Sequence, residues 1–269
     1  MTVYKYYPPT RYTMDALLNN YFFFNKVSKQ NDPYDASFKL IQSPQYIDAL
    51  LGQGMHPCAE QIMKDYGTCS FAQHCNNKHM WAFYTENYHG LTIGFEEKYL
   101  CELSQVYMVN IPYVKVTYEN KLPDFDDHNA SFLLQYIDET LCAHQKPIKF
   151  CDALKNRKLL DDLFVYICSL KEAETWEEEK ERRLVAAGHV IKKENRERMM
   201  KKGIGFLPNG YTIPFPKEAV TEIIIGHNCS LSIGDIMRIT NKYKNVEIKQ
   251  TSCEKPFSID IIPYNNNSK

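Results

Sequence analysis

The alternation of apolar and polar positions divides the chain into short elements. Val3–Tyr7 reads as a strand stopped by Pro8-Pro9, and Thr10 caps a helix to about Asn19 with Met14, Leu17 and Leu18 on its buried side. Tyr21–Asn25 is too short for a helix of its own and predicts a second strand. Residues 44–66 carry a helical pattern broken at Gly52–Gly54. Gly67–Ala72 predicts a strand, His79–Asn87 a short helix and Gly90–Phe95 another strand. Gln105–Tyr118 alternates as a strand or hairpin, Lys121–Asn129 is a polar loop, and helices are expected over Ala130–His144 and Ile148–Leu170. Val220–Ile225 with Gly226 reads as strand and turn, Leu231–Tyr243 as a helix, and Val246–Thr251 and Phe257–Ile262 as closing strands.

No repeat, linker or charge break divides the chain, and the elements lack a regular βαβ rhythm. The expectation is one α+β domain over residues 1–264, with small mixed or antiparallel sheets flanked by helices. A helical insertion is expected near 120–170, and residues 265–269 as a disordered tail.

Composition narrows the class without naming a chemistry. The 269 residues balance 32 Lys+Arg against 33 Asp+Glu, a net charge of -1, which argues against a protein built mainly to neutralise phosphates. With 19 Tyr, 14 Phe and 44% hydrophobic residues, disorder is excluded for most of the chain. No apolar run approaches the ~20 residues that span a bilayer. The N-terminus lacks the basic start and apolar stretch of a signal peptide, so a cytoplasmic protein with no membrane partner is expected. The nine cysteines form no CxxC pair and read as reduced thiols. Cys69, His74, Cys75 and His79 match no zinc spacing, so no metal is expected.

Four segments are candidates for chemistry. Asn31-Asp32-Pro33-Tyr34-Asp35 is a proline-stiffened turn, or the ordered polar edge of a pocket. His79–Tyr84 places Met80, Phe83 and Tyr84 on one helical face, a core stripe unless Trp81 and Tyr84 present an aromatic wall to a ring. Residues 176–184 leave two readings open. On a helix, Glu178–Arg182 and Glu179–Arg183 are solvated i,i+4 pairs. On a strand, Glu179, Glu181 and Arg183 point to one side with the carboxylates about 6.6 Å apart. Residues 192–202 hold six basic and two acidic side chains, a solvated element or a phosphate-contacting flap.

Together these segments resemble a bacterial family, domain of unknown function twenty-nine seventy-one. The residues that carry the resemblance begin with Tyr4-Lys5-Tyr6, Tyr21–Phe24 and the 31–35 turn. They continue through Met80-Trp81-Ala82 with Tyr84, Gly90 with Ile93-Gly94-Phe95, Trp176 with Glu179, Glu181 and Arg183, and Val220–Gly226. This chain departs from the family at Phe83 and at Tyr88, where histidines are usual; His89 is a neighbouring substitute.

The family's layout is similar in turn to ADP-ribosyltransferases, which implies NAD between the halves of a split sheet. In that likeness Glu181 binds ribose and stabilises an oxocarbenium-like centre, Glu179 orients the acceptor, and Arg183 keeps both ionised. Trp81 or Tyr84 stacks on nicotinamide, while Lys5, Tyr6, Asn31, Asp32 and Asp35 contribute to binding. NAD is then a substrate, with no tightly bound cofactor. Two other classes stay open: a nucleotide- or protein-binding sensor in a defence or stress locus, and a nucleic-acid-processing enzyme using the 192–202 flap. The strand reading further expects Glu181→Gln to spare stability and Trp176 to be a buried aromatic.

Overall fold

The computed structural model describes residues 1–30, 35–36, 63–107, 109–120, 157–186, 193–243, 246–254 and 258–264. Among the described residues the strands are β1 (Thr2–Tyr7), β2 (Tyr21–Lys26), β3 (Gly67–Ala72), β4 (Leu91–Glu96), β5 (Tyr113–Lys115), β6 (Thr117–Glu119), β7 (Leu170–Glu172), β8 (Glu181–Ala186), β9 (Gly205–Leu207), β10 (Gly210–Pro214), β11 (Val220–Ile225), β12 (Glu247–Ser252) and β13 (Asp260–Pro263). The helices are α1 (Arg11–Asn19), α2 (Lys78–Tyr84), α3 (Glu97–Tyr107), α4 (Arg157–Ser169), α5 (Ala173–Trp176), α6 (Lys193–Lys201) and α7 (Ile233–Lys242). The α+β class expected from the pattern is the one observed.

Local chemistry explains the best-read elements. The Thr10 hydroxyl accepts from the Thr13 amide at 3.2 Å and starts α1, and Asn20 at φ 53° ends it in the left-handed region that asparagine tolerates. Gly90 is required where β4 begins, because a Cβ there would stand 1.9 Å from the Tyr7 carbonyl oxygen. The Gln105–Tyr118 reading is corrected: α3 runs to Tyr107, since Leu100, Leu103 and Tyr107 form a buried helical face while Val106 faces solvent. Only the short strands β5 and β6 follow. The β9–β10 hairpin had no expectation attached to it. The helices expected over 44–66 (up to residue 62) and Ala130–His144, the loop between, and the tail lie outside the described residues; of the 120–170 insertion, α4 is described.

Eleven strands form one mixed sheet in the order β13-β12-β11-β4-β1-β3-β2-β10-β9, with β8 on the second edge of β3 and β5 beyond it. A parallel pair, β6 and β7, stands apart. The sheet is split at β3. β1 registers with β3 at one pair, Tyr4↔Ala72, and β2 at Thr68 and Gly67, so along residues 69–71 neither strand registers with it. The opposite edge is fully paired with β8, from Gly67↔Ala186 to Ala72↔Glu181.

Alternation sorts the two faces. Val3, Tyr7, Cys69 and Phe71 join the large core, where the rings of Phe22, Phe71, Phe95 and Phe215 meet at 4.5–5.9 Å. Tyr6 and Ala72 face the other way and form a second cluster with Met80 and Trp81 of α2 and Ile224 and Ile259. Along β3 and β8, Ser70, Ala72, Glu181 and Arg183 therefore share the α2 face.

Candidate functional site

The segment 171–186 settles the open choice in neither simple form. A turn of α5 is followed by a 3-10 turn, Glu177–Glu179, then Lys180 at φ 45°, and only then β8. The strand begins two residues later than the side-by-side reading required. Glu179 and Glu181 nevertheless converge, because the left-handed residue between them reverses the chain direction. Such a conformation costs a non-glycine residue roughly 1–2 kcal/mol. Asn77 locks this turn to α2: its Oδ1 accepts from the Met80 amide at 3.2 Å, and its Nδ2 donates to the Glu178 carbonyl at 2.6 Å.

What converges is a buried ionic cluster. Arg183, 1% exposed, donates through Nε and Nη2 to Glu181 at 2.6 and 2.9 Å, and through Nη1 and Nη2 to Asp35 at 2.5 and 2.8 Å. Its Nη1 also donates at 2.7 Å to the Cys168 carbonyl, at the C-terminal end of α4, where the helix dipole favours a cation. Lys171 Nζ donates to Glu179 at 2.6 Å and to Glu181 at 3.1 Å, and lies 4.4 Å from the centre of the Trp176 ring. The Tyr84 hydroxyl donates to the second oxygen of Glu179 at 2.7 Å. The Glu181 amide donates to the Tyr118 hydroxyl at 2.8 Å.

The electrostatics follow from this geometry. Burial alone would raise the Glu181 carboxyl, but Arg183, Lys171 and the Ser70 hydroxyl hold it well below the usual carboxylate range. Burial likewise opposes the charge on Arg183, and Asp35 and Glu181 override it. Tyr84 is driven up by burial and by Glu179, so it remains a hydrogen-bond donor. Three carboxylates (Asp35, Glu179, Glu181) against two cations (Lys171, Arg183) leave these five described side chains with a formal charge of one negative.

The candidate residues are distributed as follows. Glu179, Glu181, Arg183, Asp35 and Tyr84 meet in the cluster. Tyr6 and Trp81 are packed into the adjoining core: Trp81 is 0% exposed, stacks on Tyr88 at 5.7 Å, meets Tyr6 edge-on at 5.5 Å and donates to the Cys75 carbonyl at 2.7 Å. With its ring so enclosed, Trp81 offers no free face to a ligand, which corrects that half of the aromatic-wall expectation. Lys5 lies on the other face of β1, over the rings of Tyr7 and Phe71, and its Nζ donates at 3.2 Å to the Ser70 carbonyl in the split. Asn31 and Asp32 lie outside the described residues. Trp176 is half-buried rather than buried. Phe83 is 74% exposed on the outer side of α2, away from the cluster.

Sequence reasoning missed Lys171, Ser70, Tyr118 and Asn77. Lys171 sits in a run of polar residues with nothing to mark it. Ser70 could be found only from the β3–β8 register, which sets it opposite Arg183. It is the exposed member of the group: its carbonyl receives Lys5 and its hydroxyl reaches Glu181.

The described part of the basic 192–202 segment begins at Lys193 and forms α6 to Lys201, with Arg196 over the Phe206 ring and Lys202 Nζ donating to the Tyr107 carbonyl at 2.7 Å. Among the described residues, no group of His, Cys, Asp and Glu is arranged to hold a metal ion, and no helix is long and apolar enough to cross a membrane.

Among known proteins, the model of a family described as protein of unknown function (DUF2971) matches residues 80–184. That is the family the sequence resembles, and the match spans Trp81, Tyr84, Lys171, Glu179, Glu181 and Arg183. No curated protein and no solved structure matches the chain.

Proposed function

We propose that the chain cleaves the N-glycosidic bond of NAD and passes the ADP-ribosyl group to an acceptor, with the Glu179–Glu181 end of β8 as the reaction centre. One observation supports the reading: two glutamates flanking a left-handed lysine are folded into a buried cluster whose five described charged side chains carry one surplus negative charge. As nicotinamide leaves with the bonding electrons, positive charge develops at the sugar carbon, and a fixed anionic environment stabilises that state. The strained Lys180 fits the same account, since strain of this kind concentrates at functional sites. Ser70, exposed and next to Glu181, is the point of access, and Lys5 in the split supplies charge to a phosphate. Tyr84 orients Glu179, which receives the acceptor's proton.

A second reading has its own support. Glu181 is 3% exposed and takes donors from Arg183, Lys171 and Ser70, which is how a structural clamp in a non-enzymatic binding module is built. Incubation of the protein with NAD separates the two. The transferase reading expects nicotinamide release above the buffer blank, lost in Ser70→Ala protein of unchanged circular dichroism. No release, and no thermal shift at NAD in several-fold excess over a millimolar Kd, would leave only the clamp.

A further inference from the structure

The turn after β11 and the end of β12 bring a thiol and an imidazole together on the surface, apart from the ionic cluster. Cys253 Sγ lies 3.6 Å from His227 Nδ1, and both side chains are exposed. The imidazole is held in place. The His227 amide donates to Thr251 Oγ1 at 2.8 Å, its Nδ1 lies 3.0 Å from the same oxygen, and the Tyr88 ring packs against it at 4.6 Å between centroids. The groups that act on it are Cys253, Thr251, Tyr88 and His89. Partial burial, then the neighbouring His89, move His227 below its ordinary value, so it is neutral near pH 7 and able to take a proton. Burial pushes the thiols of Cys69, Cys75 and Cys168 up, away from the reactive thiolate.

We propose that Cys253 is a nucleophilic thiol with His227 as its proton acceptor, and that its substrates are small disulfides of the glutathione type. The sulfhydryl proton moves to His227 Nδ1, and the Cys253 sulfur attacks one sulfur of the disulfide. The S–S bond breaks, a mixed disulfide forms on Cys253, and the departing sulfur takes the bonding pair and then the proton. Cys253 is oxidised and the released half of the disulfide is reduced, so no further reactant is needed. A base within reach of the sulfur takes its proton as attack proceeds, and exposure admits a bulky disulfide.

The test uses the intact protein, with Cys101 on α3, also exposed, as the internal reference. Alkylation by iodoacetamide is followed for each cysteine by peptide mass mapping across pH 6–9. The expected result is Cys253 reacting about tenfold faster than Cys101 at pH 7, with the gap closing as pH rises. In His227→Gln protein of unchanged circular dichroism, Cys253 falls to the Cys101 rate. Oxidised glutathione then forms its mixed disulfide on Cys253 first. Equal rates for the two cysteines in the unmodified chain, or an unchanged Cys253 rate in the variant, would overturn the pairing. Selective alkylation without selective mixed-disulfide formation would overturn the substrate class.

Discussion

Two regions on the same face of the sheet are built by opposite means. Beside β8, Asp35, Lys171, Glu179, Glu181 and Arg183 fill the interior with charges fixed by directional bonds of 2.5–3.1 Å. Beside β1 and β11, Tyr6, Trp81, Met80, Ile224 and Ile259 fill it with packing, and the one polar requirement of Trp81 is met by the Cys75 carbonyl. Burying the charges requires stripping water from five ions, which mutual attraction often only offsets. Burying the aromatics is favourable by itself. An apolar plug could seal the β8 side more cheaply, so the retained ions point to a requirement for charge at that place. The lesson is that the ionic region is held by charged, directional bonds and the aromatic region chiefly by packing, and the first is what the proposed reaction centre needs.

The largest expected break in this contrast is Arg183→Ala. It strands Asp35 and Glu181 together, and the loss should reach about 5 kcal/mol in denaturant unfolding, the upper end for removing one partner of a buried pair. Arg183→Lys should recover little of it, because an ammonium cannot serve both carboxylates in the same fork. Trp81→Ala should follow at about 3–5 kcal/mol, a cavity penalty with no charge component. The two losses should separate by pH: the first shrinks in acid as the stranded carboxylates become protonated, and the second does not.

Acid sensitivity is the next effect. Glu181 titrates lower in the folded chain, at about 2, than its ordinary value of 4.5, so its contribution is complete above pH 4.5 and is lost as pH falls towards 2. Glu181→Gln should flatten the stability profile across that window and lower stability at neutral pH. This replaces the expectation that the substitution would spare the melting temperature: the carboxylate lies inside the scaffold, bonded to two cations. Trp176→Ala should have the smallest effect, about 1 kcal/mol, since the half-buried ring contributes chiefly a contact with the Lys171 ammonium. A loss comparable to that of Trp81→Ala would show that the two aromatics are equivalent and dissolve the comparison.

The legible parts of the fold were those with local signals. Thr10, the Pro8-Pro9 stop and the Val220–Gly226 run each act within a few residues, and the structure places β1, α1 and β11 where they indicate. Glu179, Glu181 and Arg183 were legible as a group because charged residues beside an apolar strand are unusual. Their geometry was not, because it depends on the left-handed Lys180, which has no glycine or asparagine to announce it. The partner Ser70 comes from the β3–β8 register, across more than a hundred residues, whereas Lys171 is only eight and ten residues from Glu179 and Glu181 and is brought back to them by the turns between β7 and β8. Glu86, Asn87 and Tyr88 are all at positive φ of 53–69°, a local turn inside the span expected to be helical to Asn87, and they set Tyr88 between Trp81 and His227.

The most direct measurement is the steady-state rate of nicotinamide release from NAD by Glu179→Gln protein, compared with the unmodified chain after both are shown to be folded. Glu179 can be altered with Arg183 and its two carboxylates left paired. The account predicts release by the unmodified protein and a kcat about a hundredfold lower in the variant, with KM little changed. A variant that turns over at the unmodified rate would contradict it, as would a folded unmodified protein that releases no more nicotinamide than buffer.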